Sequence, residues 1–550
     1  MTLQVSHEQT RSEQTRNVAV RRALLSVWDK TGLLDLGRCL AKHGTELYST
    51  GKTAAVLREG GLEVRDVTEL TGRPEAFGGR MKTLSYEISS ALLFDRDRDK
   101  DEAQKLAIVP IDMVVANLYP FAEYRDRGLA LDELVEYVDI GGPTMVRAAA
   151  KNFRHVASVV SPADYTDLVR ELDASGGALS LETRKRLMRS AFRATADYDS
   201  QIAEHLAEEA SEVSRTLSFS GGSALRYGEN PHQKARVLVR RGGSSASPTD
   251  LLLSGKELSY NNLLDVESAL ASVRGHGENG CAIVKHGNPC GLAIGKNRAR
   301  ALELAWAGDP VSAFGSVIAF GGRVTREDVA PLALDAADKT KRRFVEVVVA
   351  PSFDEEAVAY LATNKNLRVL PLDADAVFSR EELRLCLGHL LVQDADETLF
   401  TKLENATIIP FEADQALAEL GARVVRSIKS NAIAIVRRVG EVGEGELQLL
   451  GMGGGQPNRV ASAKLAVERA HATLRAEVGE DSAALARACA NAYVFSDAFL
   501  PFADTLEVLA AGGFRVLLQP GGSIRDAEVV AAGDARGVAV VMTETRHFRH

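Results

Sequence analysis

The chain has 550 residues, with 75 acidic against 66 basic side chains. The resulting net charge of −9 excludes an overall basic field for nucleic acid. Hydrophobic residues at 45% and charged residues at 26% are proportions of a soluble globular protein, and no apolar run reaches the ~18–20 residues of a membrane span. At roughly 150 residues per domain, the length predicts three or four units.

Residues 1–21 read as a polar tail without an apolar signal core, which predicts a cytoplasmic protein. The cysteines, at 39, 281, 290, 386 and 489, are scattered and odd in number, so reduced thiols are expected rather than a disulfide framework. From Arg22 short apolar runs alternate with helical spacing. "ALLSVWD" is a strand. "TGLLDLGRCLAKHG" is a helix with Leu33, Leu36 and Leu40 on one face and Gly44 past its end. "TELYST" is a strand, "TAAVLREGG" a helix, "DMVVANLYPF" a buried strand and "IGGPTMVRAAAKN" a helix. This rhythm predicts a parallel sheet covered on both faces. A charged helical stretch from about Thr183 to Ser214 ends before "FSGGS", where the main boundary is expected. That predicts one domain over residues 22–219 and another over 220–550. "RRGGSSASPTD" reads as an exposed loop. Beyond it, "CAIVKHG", "SVIAFGG", "VEVVVAP", "LRVLPL", "FRVLLQPGGS" and "GVAVVMTET" read as strands. Two α/β halves, about 220–390 and 391–550, are expected without a visible sequence repeat.

Several motifs invite a chemical reading. "STGKT" ends like a phosphate-binding Walker loop, but Glu46 stands where that loop requires glycine. A helix N-terminus after Ser49 and Thr50 still suits a phosphate. In "GMGGGQ", Gln456 occupies the place of the last glycine of a dinucleotide fingerprint. Pro289-Cys290 begins like a zinc deaminase motif, yet Ala293 replaces the second cysteine, so Cys290 is expected to be a packed thiol. "GGRMKTL" sets Arg80 and Lys82 after two glycines, which suits an anion. "ALRYGENPHQ" offers Arg226 as a phosphate fork and Tyr227 as a stacking or hydrogen-bonding group, or it is a polar turn. "AIVKHGNPCG" puts Lys285 and His286 at the end of an apolar strand, before what reads as a stiff Asn288-Pro289-Cys290-Gly291 turn. The pair is either a solvated edge or the start of a site.

In chain order, "SVWDKTG", "DVTELTGRPE", "GGRMKTL", "ANLYPF", "DIGGPTMVRAAAKN", "ADYD", "LRYGENPHQ", "KHGNPCG", "DPVSAFG", "KSNAIAI", "SDAFLPFAD", "QPGGSIRD" and the terminal "TRHFRH" closely resemble a bifunctional family of purine biosynthesis. That family combines aminoimidazole carboxamide ribonucleotide (AICAR) formyltransferase with inosinate cyclohydrolase. The resemblance spans about residues 22–550. It implies an α/β chain: a methylglyoxal-synthase-like N-terminal domain, then two cytidine-deaminase-like α/β units without zinc. It also implies a homodimer with formyl-transfer sites at the interface, and 10-formyltetrahydrofolate as co-substrate with no metal in the chemistry. No nucleic-acid or membrane partner is expected.

By the same resemblance, His286 accepts the amine proton of AICAR, Lys285 stabilises the oxyanion, and Asn431 orients the reacting groups. Arg226, Tyr227, Asn262, Arg546 and Phe548 contact the substrate, while Phe499, Asp504 and Ser523 form the folate pocket. Lys82, Tyr119, Asp139 and Lys151 carry the cyclisation, with Ser26, Lys30, Thr31, Gly32, Ser49, Thr53, Arg80, Thr83 and Asn117 binding its substrate. The chain departs from the family pattern at Lys52, usually glycine, at Ser85, Tyr86, Ser89 and Ser90, and in "GGGQPNR". Two other functions are compatible with these strings: a relative in specialised metabolism acting on an AICAR-like nucleotide, and a nucleotide-binding protein that kept the fold without catalysis.

Overall fold

The computed structural model describes residues 17–210, 212–240, 246–440 and 445–550. The chain divides into two compact units, one ending at Ser218 and one beginning at Phe219. Among the described residues, no helix is long and apolar enough to cross a membrane.

The first unit is built on a five-stranded parallel sheet. Its strands are β1 (Arg22–Leu25), β2 (Glu46–Ser49), β3 (Arg65–Asp66), β4 (Met113–Val115) and β5 (Ala157–Val159), in the order β3-β2-β1-β4-β5. Successive side chains point to opposite faces, so a strand buried on both sides must be apolar throughout. Ala23 and Leu25 pack with Leu33, Leu36 and Leu40 of α1 (Leu33–Lys42), Leu57 of α2 (Gly51–Glu59), and Leu168 and Leu172 of a later helix, Tyr165–Ser175. Leu24 and Val114 face the other way, onto α3 (Tyr86–Leu93) and α4 (Gly141–Lys151). Each wholly buried leucine contributes about 2 kcal/mol. Gly44, φ 78°, follows α1 in the left-handed conformation expected of a residue just past a helix. The long helix after β5 runs Leu181–Glu209, ending before the predicted Ser214.

The second unit holds one mixed sheet of eleven strands. One half contains β6 (Gly280–Lys285), β7 (Asn288–Ile294), β8 (Ser316–Phe320), β9 (Val345–Ala350) and β10 (Arg368–Pro371). The other contains β11 (Glu404–Asn405), β12 (Ile433–Val439), β13 (Glu446–Gly453), β14 (Tyr493–Ser496), β15 (Val516–Gln519) and β16 (Ala539–Met542). The order is β10-β9-β8-β6-β7-β13-β12-β14-β15-β16-β11. Each half repeats one pattern: an antiparallel pair, a third strand antiparallel to the first, then two strands in parallel. The halves join where β7 meets β13, Ala293 opposite Gln448. The repetition lies in topology rather than in residue identities.

A matched pair of glycines supports the symmetry. A Cβ on Gly291 of β7 would lie 2.0 Å from the carbonyl oxygen of Ala305 in the helix Arg298–Gly308. A Cβ on Gly451 of β13, opposite Ile435 at the matching irregularity of β12, would lie 2.5 Å from that of Ala466 in the helix Arg459–Val478. In both halves, glycine lets the following helix press against the sheet.

The structure corrects the turn expected after Lys285-His286. Asn288-Pro289-Cys290-Gly291 is not a turn; it opens β7, pairing with Val284 and Lys285. The turn is His286-Gly287, with φ 53° and 72°. Two consecutive positive φ values mark a tight primed turn, whose twist matches that of the flanking strands. The proline misled the sequence argument because the strand carries an irregularity in register between Ile283 and Val284, the kind of place where a sheet tolerates proline. Of the predicted loop "RRGGSSASPTD", residues 241–245 lie outside the described residues.

Candidate active sites

In the first unit, the candidate residues converge where β1, β2 and β4 end, as expected for a parallel sheet. Ser26 donates its N–H to the Val115 carbonyl at 2.8 Å. Asn117 accepts the N–H groups of Trp28 (2.5 Å) and Asp29 (2.9 Å) and donates to the Asp29 carbonyl (3.0 Å), fixing the loop after β1. Thr31 donates its N–H to Asp29 (2.9 Å), and Gly32, φ 67°, turns the chain into α1. Ser49 and Thr53 are buried, and their hydroxyls donate to the Leu25 (2.7 Å) and Val27 (3.0 Å) carbonyls. They brace the loops from inside the protein.

Helix α2 starts at Gly51 with no side-chain cap on its N–H groups, so its first turn is open to an anion. Three lysines gather nearby. Lys30 bends back onto the Val27 and Trp28 carbonyls, and burial together with the Lys52 charge holds its pKa below the usual lysine value. Lys82 reaches within 4.0 Å of where a Cβ on Gly51 would stand, and pairs with Glu75 at 2.8 Å.

Beside Lys82, Thr83 abuts Gly141, the first residue of α4. Asp139 accepts the Gly142 N–H at 2.8 Å. Burial raises the Asp139 pKa, offset in part by that bond. Burial, then the nearby Asp139 charge, raises the pKa of Tyr119, with Lys82 opposing. Lys82, Tyr119 and Asp139 are thus electrostatically coupled. Tyr119 meets Trp28 edge to face, with ring centroids 5.2 Å apart. Arg80 turns outward to pair with Glu136. Lys151 is not brought into this group: it closes α4, ten residues from Gly141, about 15 Å at helical rise. Tyr198, whose hydroxyl accepts the Asp139 N–H at 2.7 Å, lies in "ADYD" but is not among the residues that the sequence singles out.

The departures from the family pattern divide by position. Ser85 caps α3, accepting the Ile88 N–H at 3.1 Å, while Tyr86 is exposed at its first turn. Ser85 thus serves the helix. Lys52 is exposed beside Lys30 and adds a cation to the open end of α2.

In the second unit, the register sets the turn after β6, the start of β8, the start of β12 and the ends of β14, β15 and β16 on one end of the sheet. His286 is exposed at the turn. A positive φ is uncommon outside glycine, and histidine is among the residues enriched there. The Gly287 N–H is held by Asp265 at 2.7 Å. Lys285 donates to the Phe314 carbonyl at 2.7 Å, and the Phe314 ring meets Phe344 at 5.1 Å. Phe344 in turn lines a pocket of about 250 Å³ with Arg226, Tyr227, Lys256, Asn262 and Arg368. Three predicted substrate residues therefore share one cavity, Arg226 standing 4.9 Å over the Tyr227 ring. Lys256 and Arg368 were missed because neither lies in a distinctive string; only folding brings them together.

Asn431 donates its side-chain N–H to the Gln456 carbonyl at 3.0 Å, and its own carbonyl accepts the Ser462 hydroxyl at 2.8 Å. The terminal segment is pinned here. Ser430 and Arg549 exchange two hydrogen bonds, and the His547 backbone N–H donates to the Asp497 carbonyl. Arg546 stacks over Phe548 at 4.6 Å. Asp497 is wholly buried, with one oxygen on Arg459 at 2.6 Å and the other without a hydrogen-bond partner. Phe499 follows β14, Asp504 opens the helix Asp504–Ala511, and the Ser523 hydroxyl accepts the Arg525 N–H at 3.1 Å. The 250 Å³ pocket is not lined by Lys285, His286 or Asn431; these share the sheet end with it.

Cys290 is buried and its thiol donates to the Ile283 carbonyl at 3.4 Å. Burial pushes its pKa up to about 12. It is a packed thiol, and among the described residues neither group able to hold a metal includes it.

Among solved structures, one described as "Crystal structure of ForH" is 35% identical, covering 34% of this chain and 96% of its own, with a TM-score of 0.31. Residues 32–144 match the family model described as MGS-like domain. Residues 149–469, more than half the chain, match the model described as AICARFT/IMPCHase bienzyme. With its methylglyoxal-synthase-like first domain, the chain belongs to the AICARFT/IMPCHase bienzyme family of purine-biosynthesis-type bifunctional proteins.

Proposed function

We propose that the second unit transfers the formyl group of 10-formyltetrahydrofolate to the 5-amino group of AICAR, and that the first closes the product to inosinate. The observation that carries this is the Lys285-His286 pair on a rigid turn, linked through Phe314 and Phe344 to the pocket of Arg226, Tyr227 and Asn262.

The amine of AICAR is a weak nucleophile, because its lone pair is drawn into the ring and the carboxamide. As its nitrogen bonds to the formyl carbon, His286 takes the amine proton, imidazole being suited to proton transfer near neutral pH. The Lys285 ammonium stabilises the oxyanion. Collapse of the tetrahedral intermediate breaks the bond to N10 of the folate, which receives a proton as it leaves. Asn431 orients the reacting groups. Arg226 takes the phosphate, Tyr227 and Asn262 the rest of the nucleotide, Arg546 and Phe548 close over it, and Phe499, Asp504 and Ser523 hold the folate. The exposed Val311 and Phe314 near Lys285, and the exposed leucines 385, 387 and 391 on the ribbon of Glu381–Cys386 and His389–Asp394, support a homodimer covering this face.

In the cyclisation, the carboxamide nitrogen attacks the new formyl carbon and the hydroxyl leaves as water. Positioning and proton movement suffice. The open end of α2, with Lys30 and Lys52, takes the phosphate. Lys82 stabilises the developing oxygen charge, and Tyr119 and Asp139 move protons. Lys52 stands on the phosphate side, so its departure from the family pattern bears on affinity rather than on which base is bound. A cytoplasmic location accords with five cysteines free of disulfides.

The test is an assay with AICAR and 10-formyltetrahydrofolate, following the formylated intermediate and inosinate, alongside a fragment ending at Ser218. The fragment is expected to cyclise supplied intermediate and transfer no formyl group. Formyl transfer by the fragment, or no turnover of AICAR by the full chain, would overturn the assignment; turnover of an AICAR analogue alone would move it to specialised metabolism.

A further inference from the structure

Away from the strand ends that carry the cyclisation residues, the first unit holds a cluster that chemistry does not use. His155 precedes β5, and Asp95 and Asp97 lie in the loop after α3. All three are therefore near the opposite, N-terminal edge of the sheet. Their ligand atoms lie within 4.8 Å of one another. His155 is 93% buried, being 7% exposed, and its Nε2 has no hydrogen-bond partner. That nitrogen stands 3.5 Å from Asp95 Oδ1 and 3.9 Å from Asp97 Oδ2. A buried imidazole nitrogen without a partner is costly unless something else occupies its direction.

We propose that Asp95, Asp97 and His155 bind a divalent transition-metal ion of the zinc type. Two ligands each about 2.1 Å from a tetrahedral ion lie about 3.4 Å apart, so the Asp95–His155 separation already fits. Asp97 offers its Oδ2 3.9 Å from the same His155 nitrogen, and its side chain, 59% exposed, leaves an entry path. The two arginines beside the cluster are each held by a carboxylate. Arg96 is turned to Asp112 and to the Ile111 carbonyl, and Arg98 pairs with the second oxygen of Asp95 at 3.0 Å. The Asp97 and Arg98 N–H groups bond Asp95 Oδ1 at 3.0 and 3.2 Å, fixing the carboxylate as ligating carboxylates are fixed. One imidazole and two carboxylates form a donor set for zinc, with water completing the sphere. Bound there, the ion ties the end of α3 to the start of β5.

The other candidate group in this unit, Cys39, His43 and Asp173, supplies a contrast. Its histidine already bonds Asp173 at 2.7 Å, and Lys42 places an ammonium on the same oxygen at 2.9 Å.

The experiment uses the untagged full chain, stripped with chelator, then titrated with Zn²⁺ and with Co²⁺. One equivalent is expected to bind with a Co²⁺ spectrum free of thiolate charge transfer, and Zn²⁺ should raise the melting temperature. Asp97→Asn and His155→Gln should each weaken binding at least roughly 100-fold, the most that losing even an outer partner of a ligand costs. His43→Gln should leave it intact. Melting each variant beside wild type without metal separates lost binding from lost folding. Absence of binding in wild type, binding that survives both substitutions, or a thiolate spectrum abolished by His43→Gln would each overturn the site.

Discussion

The two units place their candidate groups on opposite kinds of scaffold. The first uses a parallel sheet, where every strand delivers its C-terminal end to the same edge and a helix N-terminus opens there. Its site is a bowl of loop ends with lysines around an anion cradle. The second uses a mixed sheet, in which one edge collects a hairpin turn, strand beginnings and strand ends together. There the reacting pair stands on a two-residue turn whose geometry is fixed by the ladder beneath it. A bowl suits holding a substrate that reacts with itself; a rigid turn suits aiming two groups at a junction between substrates.

The largest break in this comparison should come from His286→Asn. Asparagine accepts a positive φ as readily as histidine, so the turn and the melting temperature should survive. Formyl transfer should fall about 10²–10⁴-fold while cyclisation of supplied intermediate stays within experimental scatter. Transfer at the wild-type rate would return the pair to a solvated edge. Lys82→Ala should do the converse, slowing cyclisation by about 10²–10³-fold and sparing transfer, as expected from loss of one charge-stabilising group. Steady-state kinetics on each half-reaction read both.

Packing sharpens the comparison next. Gly291→Ala and Gly451→Ala each drive a Cβ into a helix carbonyl and should destabilise the second unit by about 1–3 kcal/mol. Two-transition calorimetry should show the first unit's melt unmoved by either. Similar losses in both would establish that the repeated topology rests on equivalent contacts. Lys52→Gly should raise KM for the formylated intermediate only ~2–5-fold with kcat unchanged, the scale of one charge near a helix N-terminus.

The smallest effect concerns Asp139. Its pKa is raised by burial above the ordinary 3.8, so the folded protein binds its proton more tightly than the unfolded chain. The resulting stability is fully present below 3.8 and is lost as pH rises through the raised folded value. Asp139→Asn should remove that decline, seen as a flatter plot of melting temperature against pH in this window. An unchanged slope would mean the carboxylate is better hydrated than its burial implies.

The sequence by itself determined much of this protein. The apolar runs of β1, β2 and β4, the leucine face of α1, and the strings around Lys82, Arg226, Lys285 and Asn431 follow from local spacing and local composition. Hydrophobic periodicity and turn chemistry act over a few residues, so they can be read from a few residues. Only the tertiary structure decided that Asn288-Pro289-Cys290-Gly291 is a strand, because pairing with β6 and a local irregularity override the turn preference of proline and glycine. It alone made the two halves of the second unit into one sheet through β7 and β13, and assembled Lys256 and Arg368 with Arg226 around a cavity. It also carried Lys151 to the far end of α4, since a helix moves each residue about 1.5 Å along its axis however close the string looks in sequence. Contacts between residues a hundred positions apart leave no periodic trace in the chain; they arise when burial of the apolar faces folds the elements onto one another.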